Sequence, residues 1–175
     1  MYSKIAVIAL VIVLGLVNWS IAGKEKHLAE GKVIYLELAP VDPRSLMQGD
    51  YMALDYQVAR AVYKALPKRT EEYRRWRHNV AASDGHTIVV LDENKVASFK
   101  TISAGQAPEK NEILLKYRVR NGAVKFATNA FFFQEGHAKY YTSARYGQFR
   151  VDDKGELLLV GMYDKQFKKI EAKNE

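Results

Sequence analysis

The sequence predicts an α+β protein in which one N-terminal transmembrane helix carries a single soluble domain. Three observations lead to this fold class. An uncharged apolar segment stands near the N-terminus, several later segments alternate apolar and polar residues as half-buried strands do, and turn residues separate those segments at short intervals. We therefore expect a mainly antiparallel sheet, either open and curled or barrel-like, with two or three short helices.

The first segment is long enough to cross a membrane. Residues 5–22 carry no charge, and a helix of this length covers about 27 Å, close to the hydrocarbon core of about 30 Å. Trp19 lies near the end of the segment, where its ring suits the membrane interface. Small residues at Ser20 and Ala22 also fit a cleaved signal peptide, although the apolar stretch exceeds the usual core of about 7–15 residues in such peptides. We favour a retained anchor.

Four regions follow from this anchor. We predict a transmembrane anchor over residues 1–23, a juxtamembrane helix end over 24–31, a soluble α+β domain over 32–165 and a charged tail over 166–175. Gly31 is expected to stop the helix, because glycine readily adopts the backbone conformation that follows a helix C-terminus. From Asp164 onward we expect the charged chain end to fray.

Alternation and turn residues predict the elements of the soluble domain. In residues 51–58 the even-numbered side chains are expected to face the core, and a helical region is expected from 59 to about 80. Asn121-Gly122 indicates a tight hairpin. An apolar run over residues 131–133 is expected to be buried, and a short helix is expected within residues 134–145. The other strands are predicted over residues 33–38, 86–91, 95–102, 113–119, 148–151 and 157–163.

Composition excludes several kinds of chemistry. The chain has no cysteine, which rules out disulfides, thiolate zinc sites and cysteine nucleophiles. Its four histidines lack the spacing of paired metal ligands, and no glycine-rich phosphate-binding motif occurs in the sequence. We therefore expect no metal and no cofactor.

The net charge of +7 is concentrated in one stretch. Residues 60–78 hold seven lysines and arginines against two glutamates, which accounts for five of the excess charges. This stretch is either a solvated helix face or a contact with anionic membrane lipid, at about 1 kcal/mol per basic residue near the membrane surface. Nucleic acid is not expected as a partner, because a membrane anchor would keep the stretch away from it.

One segment resembles a known family motif. Residues 49–56 read Gly-Asp-Tyr-Met-Ala-Leu-Asp-Tyr, which agrees with the motif of the GDYXXLXY family at its five fixed positions. Residues 40–48 and two parts of the region 132–147 are also similar to that family. The resemblance implies a membrane-anchored bacterial protein of unknown function, often encoded beside a multi-pass membrane protein. It implies no catalytic residue.

Location follows from the anchor and the resemblance together. We expect a single-pass protein of the bacterial inner (cytoplasmic) membrane. Lysines are denser on the C-terminal side of the anchor, which opposes the positive-inside tendency, yet a folded domain of this length can translocate regardless of so small a bias. We therefore expect the soluble domain to be extracytoplasmic.

The candidate binding residues lie in and beside the motif. They share a polar side chain, and they are Asp42, Arg44, Asp50, Tyr51 and Asp55. These residues either stabilise the turn, with Arg44 paired to an aspartate, or form a docking surface, since tyrosine and arginine are frequent anchors of interfaces.

Three further motif residues are assigned structural roles. Gly49 is expected to end the turn at a positive φ, which glycine adopts without steric cost. Leu54 and Tyr56 are expected to pack into the core, because both lie on the inward side of the alternating segment.

Three functions remain open from the sequence. The leading hypothesis is an accessory protein without enzymatic activity that docks on a multi-pass membrane partner, and the alternative is a module that senses a lipid or a peptide in a groove of the sheet. The Gly49-Asp50 step is also similar to that of type I signal peptidases, but Val41 occupies the position of their nucleophilic serine and Ser45 is displaced from it. An exposed aromatic patch at the motif would favour the docking function. An apolar cavity with a few polar groups would favour the function of sensing a lipid or a peptide.

Deleting residues 1–23 should convert an integral membrane protein into a soluble one, since no other segment of the sequence approaches the ~20 apolar residues that a helical span requires. After a high-salt and alkaline wash of the membrane fraction, the full-length chain should stay in the pellet and the truncated chain should be released. A full-length chain that washes off, or a mature N-terminus at Gly23, would contradict the anchor and favour cleavage after Ala22.

Overall fold

The computed structural model describes residues 2–39, 47–48, 51–68 and 80–172. Within these residues the chain forms three helices and ten strands. The helices are α1 (Tyr2–Glu30), α2 (Gln57–Ala65) and α3 (Ala138–Tyr141). The strands are β1 (Lys32–Glu37), β2 (Met47–Gln48), β3 (Tyr51–Ala53), β4 (Ser83–Leu91), β5 (Ala97–Ile102), β6 (Glu112–Arg120), β7 (Ala123–Lys125), β8 (Ala130–Phe132), β9 (Tyr146–Val151) and β10 (Leu157–Tyr163).

The strands form three antiparallel sheets around one hydrophobic core. Their orders are β1-β9-β10, β2-β3-β8 and β5-β4-β6-β7, and they include a curled half-barrel sheet. The deepest side chains of the core come from all three sheets and from α2, and they include Ile34, Leu36, Met52, Val62, Leu115 and Phe149. The predicted fold class is confirmed: an apolar N-terminal helix precedes a mainly antiparallel, curled sheet with few short helices.

Helix α1 is long and apolar enough to cross a membrane. Its apolar residues are exposed and pack against no other part of the described chain. The helix ends before Gly31, as predicted, and it is tied to the domain at this end. His27 Nε2 donates to the carbonyl oxygen of Arg150 at 2.9 Å, and the Arg150 guanidinium donates to the carbonyl oxygen of Gly31 at 3.0 Å. Side-chain bonds therefore reinforce the covalent link between α1 and the sheet.

The alternating segment faces the core as predicted, but its backbone differs from the prediction. Met52, Tyr56 and Val58 are each at most 3% exposed. The strand expected over residues 51–58 ends at Ala53, however, and α2 already begins at Gln57. The physical reason is a change of hydrogen-bond partner, because the chain leaves the β3–β8 ladder and Tyr56 bridges to the segment after β1. Of the helix expected to about residue 80, the residues from 69 to 79 lie outside the described part.

Near β8 one prediction is wrong, and the helix predicted after it is present but shorter than the segment assigned to it. Phe132 was expected inside an apolar run but is 74% exposed, since successive side chains of a strand point to opposite faces. The helix expected within residues 134–145 is only the single turn of α3, because Gly136 takes a φ of +79° and turns the chain before it.

Three turns of the domain use an aspartate side chain in the same way. Asp92, Asp152 and Asp164 each accept hydrogen bonds from the backbone N–H groups two and four residues ahead, at 2.8–2.9 Å. Such Asx turns satisfy backbone donors that a tight reversal leaves without partners. The residue three positions ahead takes a positive φ in every case, and these residues are Lys95, Gly155 and Phe167.

The third of these turns overturns the expected fraying after Asp164. The chain folds back instead, and the N–H of Ile170 donates to the carbonyl oxygen of Met162 at 2.9 Å. The Phe167 ring stacks on Tyr146 with ring centroids 4.6 Å apart. A backbone bond and aromatic packing thus hold the chain to β10 as far as Ile170, although the composition of this segment is charged.

Gly155→Ala should lower the free energy of unfolding more than Gly136→Ala. The two glycines have nearly the same φ, +78° and +79°, so each substitution carries a similar left-handed penalty of about 1–2 kcal/mol. Only at Gly155 would the added Cβ meet backbone, 2.8 Å from the Leu114 carbonyl oxygen, whereas nothing in the described chain lies within 4 Å at Gly136.

We expect a further loss of about 1 kcal/mol or more at Gly155, because the β6 backbone has no flexible end that can yield. Urea unfolding of the full chain in detergent would measure both variants. Equal losses for the two variants would contradict the close approach of this turn to β6.

Candidate functional site

Strand β3 presents one motif tyrosine on the surface beside an exposed phenylalanine. Tyr51 is the register partner of Phe132 on β8, so the two side chains lie on the same face of the sheet. Their ring centroids are 5.7 Å apart, at an interplanar angle of 42°. Phe132 is 74% exposed and Tyr51 is partly exposed. We call Tyr51 and Phe132 the aromatic pair.

The residues behind the aromatic pair hold β8 firmly. Phe131 points to the opposite face and meets Tyr141 of α3 edge to face at 4.9 Å. Phe133 stacks on the same tyrosine at 5.2 Å. Because Tyr141 is itself buried, α3 anchors both neighbours of Phe132. The strand that carries the exposed ring is therefore packed against α3 from behind.

The remaining described motif residues are buried, as predicted. Leu54 is 7% exposed and Tyr56 2% exposed, and the Tyr56 ring meets Phe149 edge to face at 5.6 Å. The Tyr56 hydroxyl finds no hydrogen-bond partner in the described part of the chain. Burial raises the pKa of this phenol far above its ordinary value, so the group stays protonated and cannot act as a base or nucleophile near neutral pH.

Asp55 is set apart from the aromatic pair. Arg60 of α2 approaches its Oδ2 through two nitrogens, at 2.7 and 2.9 Å. Both side chains are more than 40% exposed, and an exposed ion pair of this kind contributes little stability, at most about 1 kcal/mol. Together the two residues border a shallow apolar surface formed by α2 and β7. The structure therefore does not bring Asp55 and Tyr51 into one contact.

Four predicted site residues, Asp42, Arg44, Gly49 and Asp50, lie outside the described residues. Their assignment to turn stabilisation or to docking stays a prediction. Phe132 was missed as a surface residue, although the alternation expected of a strand could have placed it opposite its neighbours.

A groove of about 490 Å³ opens next to the aromatic pair. Its lining is apolar on one side, with Phe126, Phe131, Phe132 and residues 157–159. Four cationic side chains also line it: Lys24, Lys116, Arg118 and Lys125. We call this the basic groove. The only carboxylate among its lining residues is Glu156, which pairs with Lys116 at 2.5 Å and raises the pKa of that ammonium.

Comparison with known proteins decides the family. Residues 13–162 match the family described as GDYXXLXY protein. The chain belongs to the GDYXXLXY family. No curated protein and no solved structure matches the chain.

The motif of this GDYXXLXY protein divides between surface and core. Its first described tyrosine, Tyr51, contributes to the aromatic pair, whereas Leu54 and Tyr56 fill the core beneath. Within the described ranges, no three His, Asp or Glu side chains come together as a metal site would require. The described motif residues thus supply packing and a contact surface.

Tyr56→Phe should leave the free energy of unfolding unchanged or raise it by about 1 kcal/mol, because the substitution removes a buried hydroxyl that has no described partner. Tyr163→Phe is the matched control. The Tyr163 hydroxyl donates to Gln148 Oε1 at 3.1 Å, so its loss should lower the free energy of unfolding by about 1 kcal/mol. Chemical unfolding compares the two. A Tyr56→Phe loss as large as that of Tyr163→Phe would mean that the Tyr56 hydroxyl has a partner.

Proposed function

We propose that this GDYXXLXY protein is an accessory protein without enzymatic activity that docks on a multi-pass membrane protein through the aromatic pair. On this proposal α1 anchors the chain in the bacterial inner membrane and the folded domain lies outside the cytoplasm. The observation that carries the proposal is the exposure of Phe132 beside a tyrosine of the family motif.

The composition of the aromatic pair supports a protein partner. Aromatic side chains are enriched where one protein binds another, since each brings a large contact area at a low cost in conformational entropy. A phenylalanine that is 74% exposed leaves most of this area in water, and a partner that covers it would gain about 25 cal/mol per Å². The packing of Phe131 and Phe133 on Tyr141 favours binding further, because the backbone that carries Phe132 needs little ordering when a partner binds.

The position of the aromatic pair supports a partner in the membrane. Phe132 also lines the basic groove, which includes Lys24 of α1. Lys24 follows the uncharged segment by two residues, which is about 3 Å along a helix axis. The aromatic pair therefore adjoins a groove that reaches the bilayer surface. The loops and interfacial helix ends of a multi-pass protein also lie at the bilayer surface.

The chemistry of the described motif residues favours binding over catalysis. A general base or a nucleophile needs a side chain whose pKa is set for its task and which a substrate can reach. Tyr56 is protonated and buried, and Asp55 is paired with Arg60 at the surface. Neither residue meets these needs.

Replacing both rings, in Tyr51→Ser with Phe132→Ser, should reduce the amount of a multi-pass protein that copurifies with the tagged full chain by at least about tenfold, as expected when two interface anchors are lost. Copurification from detergent-solubilised membranes, with quantitative mass spectrometry of the eluate, would measure this. Val90→Ser with Val160→Ser is the control, because these two valines are also exposed but belong to β4 and β10, in sheets other than that of the aromatic pair.

Both variants should remain in the membrane fraction at the level of the unsubstituted chain. A chain that emerges alone from several detergents would contradict the proposal. So would a multi-pass partner that is retained equally by the aromatic variant and the valine control.

A further inference from the structure

The basic groove places like charges in direct opposition. Arg118 on β6 and Lys125 on β7 are register partners in an antiparallel pair, so both side chains leave the sheet on the same face. Lys116 stands two residues before Arg118 on that face. Like charges at directly opposed positions destabilise a sheet. An anion bound between the two strands would offset this repulsion.

The carboxylates near the basic groove already form ion pairs with other cations. Glu156 pairs with Lys116, and Asp84, the neighbour of Arg118 on β4, binds the Arg120 guanidinium at 2.7 Å. Lys24 and Lys125 form no ion pair with any residue of the described ranges. The lining side chains therefore carry a net charge of +3, from four cations and Glu156.

The apolar wall of the basic groove narrows the choice of ligand. Phe132 and Leu158 line the same space as the four cations, so the groove can hold an anionic group together with an apolar one. Arginine and lysine suit phosphate oxygens, with which arginine forms paired hydrogen bonds. A phosphate that carries an apolar chain fits both the cationic side and the apolar side of the basic groove.

The position of Lys24 indicates that such a ligand would come from the membrane. It lies just past the uncharged segment of α1, at the depth of the headgroup layer that flanks the hydrocarbon core. Since this lysine lines the basic groove with β6 and β7, the groove opens toward the bilayer that would hold α1. Lipid headgroups are present there at a far higher local concentration than soluble phosphates.

We propose that the basic groove binds the phosphate headgroup of an anionic phospholipid from the bilayer in which α1 is anchored, with the glycerol end of the lipid against Leu158. This inference rests on the membrane anchorage of the proposed function but not on the multi-pass partner. One headgroup phosphate between Arg118 and Lys125 would relieve the repulsion between them, and Lys24 would contact the same lipid from the side of α1.

Native mass spectrometry of the full chain in a neutral detergent tests the proposal. With equal amounts of phosphatidylglycerol and phosphatidylcholine added, the chain should retain one phosphatidylglycerol with at least about tenfold preference. Both lipids offer a phosphate, but the cationic groove repels the choline cation of phosphatidylcholine, whereas phosphatidylglycerol carries only the negative charge. Arg118→Gln with Lys125→Gln should remove most of that preference. Lys110→Gln with Lys165→Gln, which removes the same charge at exposed sites outside the basic groove, should keep it.

Two further measurements separate a binding role from a structural one. In neutral detergent without anionic lipid, the Arg118→Gln and Lys125→Gln variant should unfold at the same temperature as the unsubstituted chain or above it, because it relieves the like-charge contact. Lys24→Gln, on the exposed helix and away from the core, should by itself weaken phosphatidylglycerol retention.

Equal retention of the two lipids by the unsubstituted chain would overturn the proposal, as would equal phosphatidylglycerol retention by the groove variant and its control. Glycerol 3-phosphate that binds as tightly as phosphatidylglycerol would show that the occupant is a soluble phosphate and not a lipid. An acidic segment of a copurifying protein that protects Arg118 and Lys125 from chemical labelling in place of lipid would also overturn it. None of these readouts uses the Tyr51 and Phe132 variants, so failure here leaves the docking proposal standing.

Discussion

The junction between α1 and β1 determines how the domain is oriented relative to the long apolar helix α1. Gly31 is the hinge of this junction, and its N–H donates to the carbonyl oxygen of His27 at 3.0 Å. A Cβ at this position would lie 2.5 Å from that oxygen and 3.0 Å from Cβ of Arg150, so only glycine fits without displacing backbone. Because His27 and Arg150 bond across the same point, the side of the domain with the basic groove is held beside the final turns of α1. Both proposed contacts depend on this orientation.

The family motif combines two physical tasks in one short segment. Leu54 and Tyr56 contribute to the core that holds the three sheets together, while Tyr51, only a few residues earlier, stands at the surface. A substitution at the buried positions would therefore be expected to disturb the surface as well, since Tyr51 belongs to the strand that pairs with β8. On the proposed function, the buried motif residues would therefore act through the placement of a surface ring.

Elements that depend on local chemistry could be predicted from the sequence. Asn121-Gly122 forms the expected hairpin, with both residues at positive φ, because few other residue pairs accept that conformation. The inward alternation of Met52 and Tyr56 was also correct. Phe132 was misplaced because a run of three apolar residues resembles a buried strand, whereas the pairing of β8 with β3 exposes the middle one. That pairing joins segments about 80 residues apart, and no local pattern contains it.

The basic groove could be predicted only in part for the same reason. The alternation of β6 places Lys116 and Arg118 on one face, and this much is visible in the sequence. Lys24 comes from the far end of the chain, and only the folded junction brings it there. The fold class and family thus followed from the sequence, while the partners of each surface residue required the tertiary structure.

The segment after Asp164 has a consequence for solubility. Strand β10 is at the edge of its sheet, and an open edge of unpaired N–H and C=O groups can recruit strands from other molecules. The backbone bond from Ile170 to Met162 and the bridge between Tyr163 and Lys169 cover part of this edge. At the opposite edge, the N–H of Tyr35 on β1 is occupied by the carbonyl oxygen of Lys95. These short closures occupy backbone groups to which a strand of another molecule could otherwise bind, and they thereby oppose edge-to-edge aggregation.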